Sequence, residues 1–233
     1  MRPVWALLAA LVLAQIGYPL VGGPVRAGFV VVTVIVGYAT SLAHCLLTRG
    51  WRSALVLVAV TTGGGLVVEA VGVATGFPFG SYSYRSSLGP LILGVPLVIP
   101  LAWTWMAWPA WLVAGRLTTG WFRVPVAAWA LASWDLFLDP QMVGEGYWVW
   151  RGTPSGVPLS NYAGWFAVSL VLMALLSPLK GTGDDTPMYA LYLWTWLSGV
   201  LAHAVFLGLP RSAVAGGIGM GVVAVPLLVR LRA

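Results

Sequence analysis

Apolar residues run through this chain in long blocks, and Gly, Pro or Arg punctuate them at intervals close to the length of a membrane-crossing helix. About 20 mostly apolar residues are enough to span a bilayer core. With that ruler the sequence predicts helices over roughly 4–22, 27–48, 53–74, 91–115, 122–143, 161–179, 187–209 and 213–231, with ends good to about 2–4 residues. No hydrophilic stretch is long enough for a soluble domain, and no period of about 20–50 residues repeats. The expected fold is therefore all-α: a polytopic integral membrane helical bundle of about eight transmembrane helices, forming one domain over residues 1–233. Arg2 ahead of the first apolar run is like the start of a signal peptide. No small-residue cleavage site follows it, so 4–22 is expected to be a retained span.

Composition sharpens this. The chain is 60% hydrophobic and 8% charged, whereas soluble domains carry about a quarter charged residues. A soluble globule and a disordered chain are excluded. The net charge of +6 comes from basic residues scattered singly among apolar runs, so no nucleic-acid partner is expected. The single cysteine, Cys45, lies in an apolar stretch and reads as packing. Lys and Arg mark the cytoplasmic side of a membrane protein. The N-terminus, the even-numbered links and the C-terminus hold eight of them: Arg2, Arg49, Arg52, Arg116, Arg123, Lys180, Arg230 and Arg232. The odd-numbered links hold four: Arg26, Arg85, Arg151 and Arg211. Both termini are thus expected in the cytoplasm, with the long links 75–90 and 144–160 outside and the cell membrane as the location.

Six acidic residues exist, and their placement carries the chemistry. Asp184 and Asp185 sit in a short link and read as solvated charges near a helix N-terminus. Glu69, Asp135 and Asp139 fall inside apolar spans, where a charge costs at least about 2.5–3.5 kcal/mol and is kept for a pathway, a pair or a reaction. Spans three and five run the same way, so the three carboxyls fall at one depth in the outer half. Asp135 and Asp139, four residues apart, share a helix face, and Pro140 predicts a bend or an end just beyond. His203 comes to a similar level and reads equally well as a site residue or a hydrogen-bonded packing histidine. His44, at the other end, reads as a hydrogen-bonded residue.

The two outward links combine Gly and Pro with aromatic rings: Thr75-Gly-Phe-Pro-Phe-Gly-Ser-Tyr-Ser-Tyr, and Gly144 through Trp165. Ten of the fourteen Trp fall between 103 and 165. An aromatic belt at the membrane surface accounts for some of them. Their attachment to both carboxyl-bearing spans reads also as a lid or cavity wall. Arg85 and Arg151 are placed to pair with Glu145 across the mouth, as an ordinary surface ion pair.

At these residues the sequence resembles the carotenoid biosynthesis hydratases of the CruF type, membrane proteins that add water across a terminal double bond of an acyclic carotenoid end. The resemblance rests on Thr75 through Tyr84, on Gly94-Val-Pro running into Trp103, on Trp134-Asp135 with Asp139-Pro140, and on Gly146-Tyr-Trp-Val-Trp with Gly156-Val-Pro through Asn161-Tyr-Ala-Gly-Trp165. It covers about 65–170 well and the remainder by hydropathy alone. It implies a lipophilic polyene as substrate, the lipid bilayer as surroundings, and other carotenoid-making enzymes as partners.

The roles follow from chemistry. Hydrating a trisubstituted isoprenoid double bond needs a proton delivered to one carbon, leaving a tertiary cation that water captures. Carboxyls crowded in a low-dielectric span cannot all ionise cheaply, so one keeps its proton as donor and an ionised neighbour accepts one from water. Asp135 and Asp139 are the expected acid/base pair, with Glu69 as modulator or alternate donor. Tyr82, Tyr84, Trp134, Trp148 and Trp150 are candidate cation-stabilising or substrate-contacting rings, each contributing about 2 kcal/mol when desolvated. Asn161 is placed to orient water, and His203 completes the candidate set. The reaction needs no cofactor and no metal, and no Gly-rich phosphate loop or His/Cys cluster calls for one. Three other classes compete. A membrane prenyltransferase would hold a magnesium diphosphate on Asp135 and Asp139. A proton-coupled carrier would use the same carboxyls for transport, and a structural subunit would not need them.

Overall fold

The computed structural model describes residues 1–152, 156–179 and 181–232. Lys180, one of the basic residues counted above, and residues 153–155 of the second aromatic link lie outside the described residues. Nine α-helices occur among the described residues: α1 Arg2–Gly17, α2 Gly23–Leu57, α3 Gly64–Thr75, α4 Val98–Leu117, α5 Arg123–Ala132, α6 Asp135–Gly144, α7 Leu159–Leu176, α8 Thr186–Leu201 and α9 Pro210–Arg232. Among the described residues, six helical stretches are long and apolar enough to cross a membrane, one of them the 53-residue run Gly23–Thr75. That run is far longer than one crossing requires. It breaks at Gly50, whose φ of 80° and ψ of 171° leave the helical region, a conformation that glycine reaches without steric cost. The broken pair α5–α6 adds a further apolar pass, so each of the eight expected segments corresponds to helix.

Two expectations about element ends are corrected. Span four starts at Val98 and not at 91, because Leu91–Ile92 and Val95–Pro96 (β2 and β3) form a short antiparallel hairpin. The fifth pass is interrupted at Ser133–Trp134, before the aspartates, while Pro140 sits inside α6. Pro140 has no N–H for the carbonyl of Leu136, and the Ser212 hydroxyl donates to that carbonyl at 2.6 Å instead. The same repair occurs in α4. Pro109 leaves the Trp105 carbonyl without its helical donor, and Ser41 of α2 supplies one at 2.7 Å. Such hydroxyls let proline stay in a segment with no water to take its place.

Helix α4 is the hub. It lies against α2, α5 and α8, and Met106, Ala107, Ala110, Val113 and Ala114 along it are fully buried. Outer faces are apolar as well: Leu13, Val67, Ile218 and Val229 are each more than 60% exposed. A surface of that kind suits lipid. The links gather at two ends. Arg26 pairs with Glu145 at one end, 2.5 Å apart, and Arg49 pairs with Asp185 at the other, 2.8 Å apart. Asp184 is exposed as expected. Asp185 is not simply solvated, since it also lies 3.6 Å from the buried His44. His44 accepts the Trp108 indole N–H at 2.9 Å and faces the Asp184 carbonyl at 3.0 Å, so it ties α2 to that link.

Candidate active site

The site begins with local folding of the first aromatic link. Helix α3 ends at Gly76, in the left-handed conformation with its N–H on the Gly72 carbonyl, which suits glycine at a helix C-terminus. The chain then turns back over the helix end, burying Phe79. Tyr82-Ser-Tyr84 (β1) pairs antiparallel with Trp148-Val-Trp150 (β4), Tyr82 opposite Trp150 and Tyr84 opposite Trp148. Side chains alternate across a strand, so the four rings share one face. Val149, between the two tryptophans, is 41% exposed, whereas Trp148 and Trp150 are buried. The facing rings meet at 5.5 Å for Tyr82–Trp150 and 5.4 Å for Tyr84–Trp148.

Beneath this ribbon lies a cavity of about 40 Å³. Glu69 and Asp139 both line it, together with Asn161 and a mostly aromatic wall. Glu69, 3% exposed, accepts three hydrogen bonds: from the Tyr82 hydroxyl at 2.6 Å, the Tyr84 hydroxyl at 2.7 Å and the Trp103 indole at 3.1 Å. Burial, and next the Glu69 carboxyl itself, push both phenols well above their usual range. They stay protonated and act as donors. Glycines make this approach possible. A Cβ at Gly72 would sit 2.7 Å from the Tyr82 hydroxyl, and one at Gly65 would sit 2.8 Å from the Trp103 ring. Gly65 and Gly72 stand four before and three after Glu69, on its own helix face.

Elsewhere in the lining, Asp139 accepts the Trp148 indole N–H at 3.0 Å. The Asn161 amide donates to Asp135 at 2.8 Å and also to Asp139. Asn161 thus clamps the pair from α7. Asp139 faces the cavity, while Asp135, fully buried, stands behind it with one carboxyl oxygen free of partners among the described residues. Trp103 and Trp165 stack at 4.0 Å and close the floor. Trp134 forms part of the wall.

The structure therefore gathers Glu69, Asp139, Asn161, Tyr82, Tyr84, Trp134, Trp148 and Trp150 around one cavity, with Asp135 one side chain behind. It does not bring His203 there. His203 lies in a neighbouring cavity, against Gln141 at 3.1 Å and Ser212 at 2.9 Å. Nor do Arg85 and Arg151 hold Glu145, whose partner is Arg26. Trp103 and Trp165 also line the cavity; the sequence places both at the ends of motifs but assigns them no role. For Trp103 the counterpart is a small residue, Gly65, where a Cβ would sit 2.8 Å from its ring; Gly164 instead makes room for the Phe79 ring, which a Cβ there would meet at 2.9 Å. The alternation Tyr-Ser-Tyr and Trp-Val-Trp was likewise a period-two signal for the ribbon. Among the described residues no three His, Cys, Asp or Glu side chains gather as a metal ion would need.

Comparison with known proteins bears on this arrangement. A family model described as "Carotenoid biosynthesis protein" matches residues 28–182, a stretch that contains every residue named around the carboxyl-lined cavity. The bisanhydrobacterioruberin hydratase of Haloarcula japonica is 34% identical over 131 residues, covering 53% of this chain and 44% of that relative. The match thus spans less than half of the relative's length. No solved structure matches the chain.

Proposed function

This chain belongs to the carotenoid biosynthesis protein family, and on that premise we propose that it is a hydratase, adding water across a terminal C=C of an acyclic carotenoid end to give a tertiary alcohol. The observation that carries the reading is a pair of carboxyl sites, Glu69 and Asp139, both lining one cavity rich in aromatic rings. The Haloarcula relative is named as a hydratase. In this reading the polyene end enters beneath the β1–β4 ribbon while the rest of the chain lies in lipid.

Asp139, clamped with Asp135 by the Asn161 amide, is the proton donor, and Asp135 holds and resupplies that proton. Protonation at the less substituted carbon leaves a tertiary cation. The faces of Tyr82, Tyr84, Trp148 and Trp150, with Trp103 and Trp165 beyond them, stabilise it, each by about 2 kcal/mol in a desolvated setting. Water captures the cation, and the oxonium loses a proton to Glu69, whose oxygens are held as acceptors by three donors. The proton returns across the cavity to the Asp139 side, and no net charge accumulates. Asp135, Asp139 and Glu69 are the catalytic set of this proposal. We place both termini in the cytoplasm of the cell membrane, on the eight-to-four division of basic residues between the two sets of links.

The test is pigment analysis by mass after co-expression with acyclic carotenoids. A gain of one water per reacting end is expected, unaffected by magnesium chelation. A magnesium-dependent product carrying a transferred prenyl chain would overturn the reading.

A further inference from the structure

A second cavity, of about 120 Å³, lies on the far side of a wall formed by Trp105, Trp134, Leu138 and Met142, residues that line both spaces. Its character differs from that of the carboxyl cavity. Gln15, Tyr18, Thr33, Gln141, Ser198 and His203 bring polar groups to it from six helical segments. Three polar groups there are more than nine-tenths buried and have no hydrogen-bond partner among the described residues: the Tyr18 hydroxyl, the Thr33 hydroxyl and the Trp105 indole N–H. Tyr18 faces the Gln141 side chain without closing a hydrogen bond to it. By contrast, the indole N–H groups of Trp103, Trp148 and Trp150 around the carboxyl cavity all have acceptors. A buried polar group without a partner costs about 1–3 kcal/mol, and three such groups around one space are the environment in which ordered water is found.

Resting on the hydratase reading, we propose that this second cavity is the water store of the reaction. It holds a small cluster of ordered waters on Tyr18, Thr33 and Trp105 and passes them, one per turnover, through the Trp105–Trp134 wall to the cation. Capacity supports the assignment. A water needs about 10–15 Å³ of such space, so 120 Å³ accommodates several. The carboxyl cavity, at about 40 Å³, has little room for a nucleophile once the alkene end is inside. Position supports it too. Trp105 and Trp134 meet edge to face at 5.2 Å. A Cβ at Gly37 would sit 2.5 Å from the Trp105 ring, so α2 itself sets where that ring stands. Met142 and Leu138 beside the rings are side chains whose rotation opens a passage. The step balances: the oxygen and one hydrogen of a stored water end on the tertiary carbon, and its other proton goes to the carboxyl that replaces the one spent on the neighbouring carbon.

The experiment uses the intact protein in nanodiscs with an acyclic carotenoid in deuterated water. Ser198→Leu fills the store from α8, and Thr33→Val removes one hydroxyl without changing shape. A cation that finds no water loses a proton and returns to alkene. Alcohol formation is therefore expected to fall roughly tenfold in Ser198→Leu, the equivalent of about 1.4 kcal/mol, and by less in Thr33→Val, while recovered alkene still takes up deuterium. Alcohol formation at the parent rate in both variants would overturn the proposal. So would a parallel loss of alcohol and deuterium uptake in folded Thr33→Val, which would mean that the cavity acts only on structure. A parent protein that makes no alcohol and exchanges no deuterium would instead overturn the hydratase reading beneath it. An experimental map showing lipid carbon in the second cavity would refute the store without reference to activity.

Discussion

Replacing Asp139 by Asn separates chemistry from folding at the residue that faces the cavity. The carboxyl accepts the Trp148 indole at 3.0 Å and the Asn161 amide beside it. An amide keeps the shape and one acceptor oxygen, so at most one of those two donors keeps its partner. The stranded donor costs about 1–3 kcal/mol of stability, a loss that a folded domain with about 5–15 kcal/mol in hand tolerates. The chemical loss is larger. Without a proton to deliver, the rate should fall by about 100- to 10,000-fold, which corresponds to about 3–5 kcal/mol on the barrier. The assay is alcohol formed per folded molecule, with folded protein quantified by size-exclusion profile and melting temperature in detergent, and deuterium uptake by recovered alkene as the second readout. Both alcohol and exchange should vanish together in Asp139→Asn, because protonation precedes capture. Turnover within about threefold of the parent would refute the reasoning. So would deuterium uptake that survives intact, since the proton would then come from elsewhere.

Glu69→Gln should lower the melting temperature and turnover together, because a single amide oxygen cannot serve Tyr82, Tyr84 and Trp103 at once; an unchanged melting curve would show that these donors do not depend on the carboxylate. Gly72→Ala should cut product formation sharply by displacing the Tyr82 hydroxyl, whereas Gly28→Ala, with open space around its Cβ, should leave it unchanged; equal activities in the two variants would count against the glycine argument. Arg26→Ala should cost about 1 kcal/mol or less of stability and leave turnover intact, as expected for a partly exposed ion pair with Glu145, and is checked by the same melting and product assays. Reporter fusions at Gly80 and Gly152 should both signal from outside the cell, and a cytoplasmic signal from both would reverse the orientation.

Hydropathy alone determined the class of fold, because a helix in lipid must satisfy its backbone within itself and present apolar side chains outward, and both requirements are written residue by residue. The cost of burying charge likewise made Glu69, Asp135 and Asp139 stand out in a chain with few charges. Local rules also contained signals for the Gly76 turn and the Tyr-Ser-Tyr and Trp-Val-Trp strands. Partnership was another matter. That Tyr82 pairs with Trp150 across 68 residues, that Asn161 clamps Asp135 and Asp139, and that three donors from two elements converge on Glu69 depend on which helices neighbour one another. Sequence depth placed His203 level with the carboxyls, but only the packing of α4 against α5 and α8 put the Trp105–Trp134 wall between them. The same holds for Glu145, whose charge was legible and whose partner was not. A span fixes how deep a side chain lies, through its rise along the membrane normal; the direction it faces, and what meets it there, is set by the packing of helices that are far apart in the chain.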